Sequence, residues 1–230
     1  MSSVNLHERL QCVQKEIKEA EQRFGRQPGS VRLLAVSKTR TAADILALAQ
    51  LGVADFGENQ VQEAQAKIEQ LRGHPLTWHF IGPIQSNKTR QIAENFDWVH
   101  SVERSKIAGR LHAARPPDLP PLNICIQVNI DAEPSKSGID PGELPQLAER
   151  LLPLTRLKLR GLMALPAPTD DFNAQRRAFM KLRLLQEQLS DSGCQVDTLS
   201  MGMTNDMQAA IAEGATIVRI GTALFGPRMR

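Results

Sequence analysis

Apolar residues recur along this chain in two alternating rhythms. Leu6, Leu10, Val13, Ile17, Ala20 and Phe24 fall at spacings of four and three, which lines them along one helical face. Asn5, followed three residues later by Glu8, resembles a capping box, and Gly25 is a natural stop. Eight short runs then read as strands: Leu33–Lys38, Ala54–Asn59, Trp78–Gly82, Trp98–Val102, Asn123–Ile130, Leu159–Leu165, Asp197–Gly202 and Val218–Thr222. Most are Leu-rich or β-branched and apolar on both faces, as parallel strands covered on both sides are. Helical stretches lie between most of them. Thr41 can cap Ala42–Leu51, which stops at Gly52, and Val61, Ala64, Ile68 and Leu71 make another stripe. Ser105–Ala114, Glu143–Leu152, Phe172–Leu189 and Asp206–Glu213 continue the alternation.

Eight β units separated by helices predict a single (β/α)8 barrel with an additional N-terminal helix, one domain over residues 1–230. An open doubly wound sheet is the alternative, because periodicity carries no information on closure. The Pro-rich Arg115–Pro121 reads as a stiff loop before the fifth strand, not as a domain linker.

Composition narrows the class. The 230 residues are 41% hydrophobic and 23% charged, as in ordinary globular proteins. Net charge is +3 and the basic residues are scattered, while two Trp and seven Phe leave few platforms for stacking bases; nucleic acid is not an expected partner. No run approaches the roughly 18 apolar residues of a membrane span, and the polar start has no signal-peptide core. Cys12, Cys125 and Cys194 are odd in number and far apart, which suits neither a disulfide framework nor a zinc site. The expectation is a reduced, soluble, cytoplasmic monomer.

In a parallel barrel, chemistry gathers where the strands end. Alternation puts Leu34, Val36 and Lys38 on one face, so an ammonium follows two apolar side chains toward the interior. Lysine is seldom buried without a reason, and desolvation favours the neutral amine that attacks carbonyls. The bland alternative is a lysine reaching solvent at the strand end. Asn59 can donate and accept at once, although Asn is also a common turn residue. His79 on the third strand is, taken alone, more often a satisfied core residue than an acid or base. Ser200-Met201-Gly202-Met203-Thr204 leaves a strand toward a helix beginning near Asn205, and Arg219-Ile220-Gly221-Thr222 ends the last strand. Two such loops after strands seven and eight are where barrels bind phosphate; an ordinary capped loop is the alternative. Arg219 sits among Ile217, Val218 and Ile220, and a buried guanidinium needs an acceptor.

Leu34-Ala35-Val36-Ser37-Lys38-Thr39, Phe56-Gly57-Glu58-Asn59, Trp78 through Lys88, Gly161-Leu162-Met163-Ala164, Leu199 through Met203 and Val218 through Thr222 resemble the pyridoxal phosphate homeostasis protein family, in register over nearly the whole chain. The resemblance implies a barrel like the N-terminal domain of alanine racemase, holding pyridoxal 5'-phosphate (PLP) as an aldimine of Lys38. It implies that Ser200, Gly221 and Thr222 hold the phosphate, that Arg219 faces the pyridine nitrogen and that Asn59 lies near the ring. His79 and Met163 would belong to the pocket wall; no metal is implied. The implied role is intracellular buffering or delivery of PLP, with apo PLP-dependent enzymes as recipients, and without catalytic turnover. A racemase-like PLP enzyme is the alternative, a Schiff-base aldolase the next. Alanine racemases use a second base, a tyrosine from a further domain; this sequence contains no tyrosine, and the expectation is that no such domain accompanies the barrel.

Overall fold

The computed structural model describes residues 3–131 and 137–226. Eight parallel strands close into a barrel in sequence order, β1 pairing with β8 through Arg32–Ile217 to Ala35–Ile220. Closure thus decides against the open sheet.

Helix α1 (Ser3–Arg23) precedes β1 (Arg32–Val36) and packs outside the barrel. It buries Leu6, Leu10, Val13, Ile17 and Ala20, the expected face. It begins at Ser3, so Asn5 lies within the helix and is not its cap. After β1 come α2 (Ala42–Gln50), β2 (Asp55–Glu58), α3 (Val61–Gln70) and β3 (Thr77–Phe80). Thr41 and Asp44 form a reciprocal capping box that starts α2. Next follow α4 (Thr89–Asn95), β4 (Trp98–Val102), α5 (Ser105–Ala114) and β5 (Leu122–Gln127). The hydrophobic pattern missed α4, because seven residues present only Thr89, Ile92 and Ala93 inward, too few for a period. The chain ends with α6 (Leu144–Leu151), β6 (Leu157–Met163), α7 (Phe172–Asp191), β7 (Thr198–Ser200), α8 (Met207–Ala212), β8 (Ile217–Ile220) and α9 (Thr222–Phe225).

The core has two shells. Between strands and helices, Phe80 meets Phe96 edge-on at 5.3 Å between centroids, a contact worth about 0.5–1.5 kcal/mol beyond its burial. Inside the barrel, Trp98 stacks on His79 at 5.5 Å and takes the Arg160 guanidinium over its ring at 4.8 Å. Arg160 is in turn held by Asp197 and Asn123. This plug fills the N-terminal half of the barrel and leaves the open end to the C-terminal loops. Arg115, in the stiff loop, is buried and donates to Ala93, Phe96 and Pro120 carbonyls, which locks that loop to the wall.

Candidate functional site

Regular pairing stops at Val36, Glu58 and Phe80, earlier than the pattern predicts. Asn59 therefore stands one residue beyond its strand, and Lys38 and Gly82 two residues beyond theirs. Together with Ile81, Met163, Met203–Asp206, Arg219, Gly221 and Thr222 they line a cavity of about 610 Å³ at the C-terminal end of the barrel. That size suits a cofactor-sized ligand.

The Lys38 turn is fixed from outside the barrel. Val36 and Lys38 face the cavity, so Ser37 faces outward, as does Glu58 next door. Lys67 of α3 reaches both, donating to the Ser37 carbonyl at 2.8 Å, to Glu58 at 2.7 Å and to Glu63 at 2.6 Å. Glu63 also accepts the Thr39 N–H, and Thr39 is held at a φ of 64°, in the left-handed region that a β-branched residue avoids. Burial raises the Glu58 carboxyl above its usual range, against the pull of Lys67 and Ser37. Asn59 is fixed by close approach: a Cβ on Gly82 would lie 2.3 Å from the Asn59 carbonyl oxygen, so only glycine fits there.

Arg219 rises from β8 into the cavity floor and is 4% exposed. It donates to the Ser200 carbonyl at 2.5 Å, the Ser200 hydroxyl at 2.8 Å and the Ala164 carbonyl at 2.8 Å. These acceptors are neutral oxygens and use three of its five N–H groups, leaving two with no acceptor among the described residues. Burial lowers Arg219 to about 10, and it stays protonated at neutral pH.

Of the six expected site residues, five line the cavity and one does not. The Ser200 side chain is fully buried, its hydroxyl bound between Arg219 and His100 Nδ1 at 2.7 Å, so it cannot reach a ligand phosphate. The loop after β7 differs too: Asp206 accepts the Met203 N–H at 2.5 Å, placing a carboxylate where an anion cup was expected. Burial raises the Asp206 carboxyl above its ordinary range. Gly221 and Thr222, at the end of β8, line the cavity, as do Thr204 and Asn205 of the loop after β7. Met163 lines the wall as expected, whereas His79 lies below the cavity, bonded to His100 at 2.9 Å and Asp55 at 2.8 Å. Among the described residues no group of acidic, His and Cys side chains could hold a metal. Burial pushes the Cys125 thiol up to about 12, so it is no nucleophile.

Burial also holds His79 and His100 below the ordinary histidine range, His100 the further, with His79 and Arg219 adding to it. In the unfolded chain both imidazoles take up protons below about pH 6.5 while the folded chain resists. Their contribution is therefore present above that pH and lost as pH falls. Urea midpoints measured from pH 7 to 5.5 should fall, each histidine contributing at most about 1.4 kcal/mol per pH unit. His79→Gln should flatten the profile; an equal slope in the variant would refute this.

A closed parallel barrel, with a lysine, a buried arginine and a glycine–threonine turn around one C-terminal cavity, has the architecture of the alanine racemase N-terminal domain, and that family's model matches residues 9–229. The chain belongs to this family, and within it to the pyridoxal phosphate homeostasis proteins. The protein of that name from Pseudomonas aeruginosa is 58% identical over 221 residues, 96% of this chain and 95% of its own. The one from Vibrio cholerae is 52% identical, with 97% of each chain covered. PipY of Synechococcus elongatus, whose structure was solved with PLP bound, is 37% identical with a TM-score of 0.83, covering 96% of this chain and 100% of its own. No described helix is long and apolar enough to cross a membrane.

Proposed function

We propose that this chain binds PLP in the C-terminal cavity, covalently through Lys38, and serves cytoplasmic PLP buffering or delivery to apo-enzymes without turnover of its own. The observation that carries the reading is Arg219, a buried cation with two unspent N–H groups on the floor of a cavity that Lys38 also lines. Such a donor suits an atom with a lone pair in a polar ring, and pyridine nitrogen is one. The Lys38 amine suits the aldehyde of the same molecule, Asn59 its ring hydroxyl, and Gly221 with Thr222 its phosphate. The PLP-bound relative and the naming of the close homologues support the same occupant. Bound there, PLP supplies an aldehyde that condenses with an amine, releasing water.

Titrating the purified protein with PLP should produce a visible absorption band, absent with pyridoxine, which has no aldehyde. A PLP titration without any band would refute the reading. Thr222→Ala should weaken PLP by the value of one charge-assisted hydrogen bond, about 1.5–3 kcal/mol, and leave pyridoxal, which lacks the phosphate, nearly unaffected. Equal weakening of both would put the phosphate elsewhere.

A further inference from the structure

Arg219 is one end of a line of hydrogen bonds that crosses the barrel interior. From Arg219 it runs to Ser200 on β7, then His100 on β4, His79 on β3 and Asp55 on β2. The successive distances are 2.8, 2.7, 2.9 and 2.8 Å. Asp55 opens β2, at the end of the barrel opposite the cavity, and also meets Arg32 at 3.4 Å. The three inner members are fully buried.

The two ends dictate the polarity of everything between them. A carboxylate can only accept, so an uncharged His79 gives Asp55 its Nε2 hydrogen and takes a hydrogen from His100 Nε2 on its own Nδ1. The His100 Nδ1 lone pair then takes the Ser200 hydroxyl hydrogen, while the Ser200 oxygen accepts from the Arg219 guanidinium, which can only donate. Every proton has one place, and both imidazoles are neutral. The chain conducts no proton toward the cavity, because Arg219 at its head has no lone pair with which to receive one.

We infer that Asp55, His79, His100 and Ser200 are positioning residues for Arg219, a line of one fixed polarity that pins the guanidinium to the cavity floor. Its unspent N–H groups then meet the ligand as donors only. Resting on the PLP reading, this means the ring nitrogen enters as an acceptor and stays unprotonated. It also means that a residue on the far side of the barrel influences PLP without touching it.

The test uses the whole chain labelled with 15N at histidine, at neutral pH and without PLP. Ring chemical shifts should report His79 and His100 as neutral, with hydrogen on Nε2 in both. Hydrogen on Nδ1 of His100, or a charged ring, overturns the inference whatever PLP does. Asp55→Leu removes the terminal acceptor and should move the tautomer of His100 as well as His79, and weaken PLP roughly tenfold, the value of one lost hydrogen bond. Asp55→Asn keeps an acceptor and should restore both signals. A folded Asp55→Leu protein with an unchanged His100 spectrum and native PLP affinity overturns it; should that variant not fold, the native spectrum and Asp55→Asn still decide. A native protein with the expected tautomers that takes up no PLP refutes the proposed function alone.

Discussion

Lys38→Ala is expected to abolish borohydride-trapped attachment of PLP entirely while leaving the far-ultraviolet circular dichroism of the native protein. The fold should survive because the turn is held by groups other than the Lys38 side chain. Lys67 binds the Ser37 carbonyl, Glu63 binds the Thr39 N–H, and the Arg40 N–H reaches the Ser37 carbonyl at 3.0 Å. No neighbour should take over the chemistry. Lys67, close by, gives its three hydrogens to Ser37, Glu58 and Glu63, and an ammonium so engaged in a buried ion pair has no lone pair to offer a carbonyl. The proposed phosphate and ring contacts do not involve the Lys38 side chain, so PLP should still bind, reversibly. Peptide mapping after reduction is the measurement, and undiminished label at the cavity in Lys38→Ala would overturn the assignment.

What the sequence made legible follows from period and parity. Strands apolar on both faces announced a covered parallel sheet, and the inward parity of Lys38 and Arg219 put both charges in one interior. Ser200 misled because a hydroxyl at a strand end looks like an anion donor, while its actual partners come from β4 and β8. His100 lies 100 residues away in sequence. The Asp55–His79–His100 line was likewise hidden, since its members lie on three different strands and meet only across the barrel interior. A usable signal did exist: His79 and His100 occupy consecutive strands, and two histidines at depth in one barrel need each other or a carboxylate. Asp206 could have been found from its spacing three residues after Met203, at which a carboxylate can reach back to the preceding N–H as in one half of a capping box. Helix α4 was beyond reach of any periodicity, with two apolar residues to show.

PLP-loaded protein is expected to respond spectrally to amino acids yet produce no appreciable racemisation, transamination or decarboxylation. Breaking a bond at the α-carbon leaves an electron pair that a protonated pyridine ring accepts well and an unprotonated one poorly. On the proposed reading Arg219, able only to donate, would keep the nitrogen in the unprotonated form. Strong bases on both sides of the carbon could compensate, and Lys38 is one of them. Opposite it the chain can offer no phenolate, since it contains no tyrosine. The acids that line the cavity are Asp170 and Asp206, and Asp206 is engaged by the Met203 N–H. Even with its raised value, a carboxylate is a far weaker base than phenolate, whose reference pKa lies about six units higher. Inversion would lack, on the face opposite Lys38, a proton acceptor for one enantiomer and a proton donor for the other. Chiral chromatography after long incubation with alanine and serine should therefore find turnover orders of magnitude below the roughly 1–1000 per second of ordinary enzymes. Turnover within that range, lost in Lys38→Ala, would make this barrel an enzyme. Replacing Arg219 by glutamate, which favours a protonated ring, is the complementary probe: if ring protonation is the limiting factor, the slow background should rise in that variant even as PLP affinity falls.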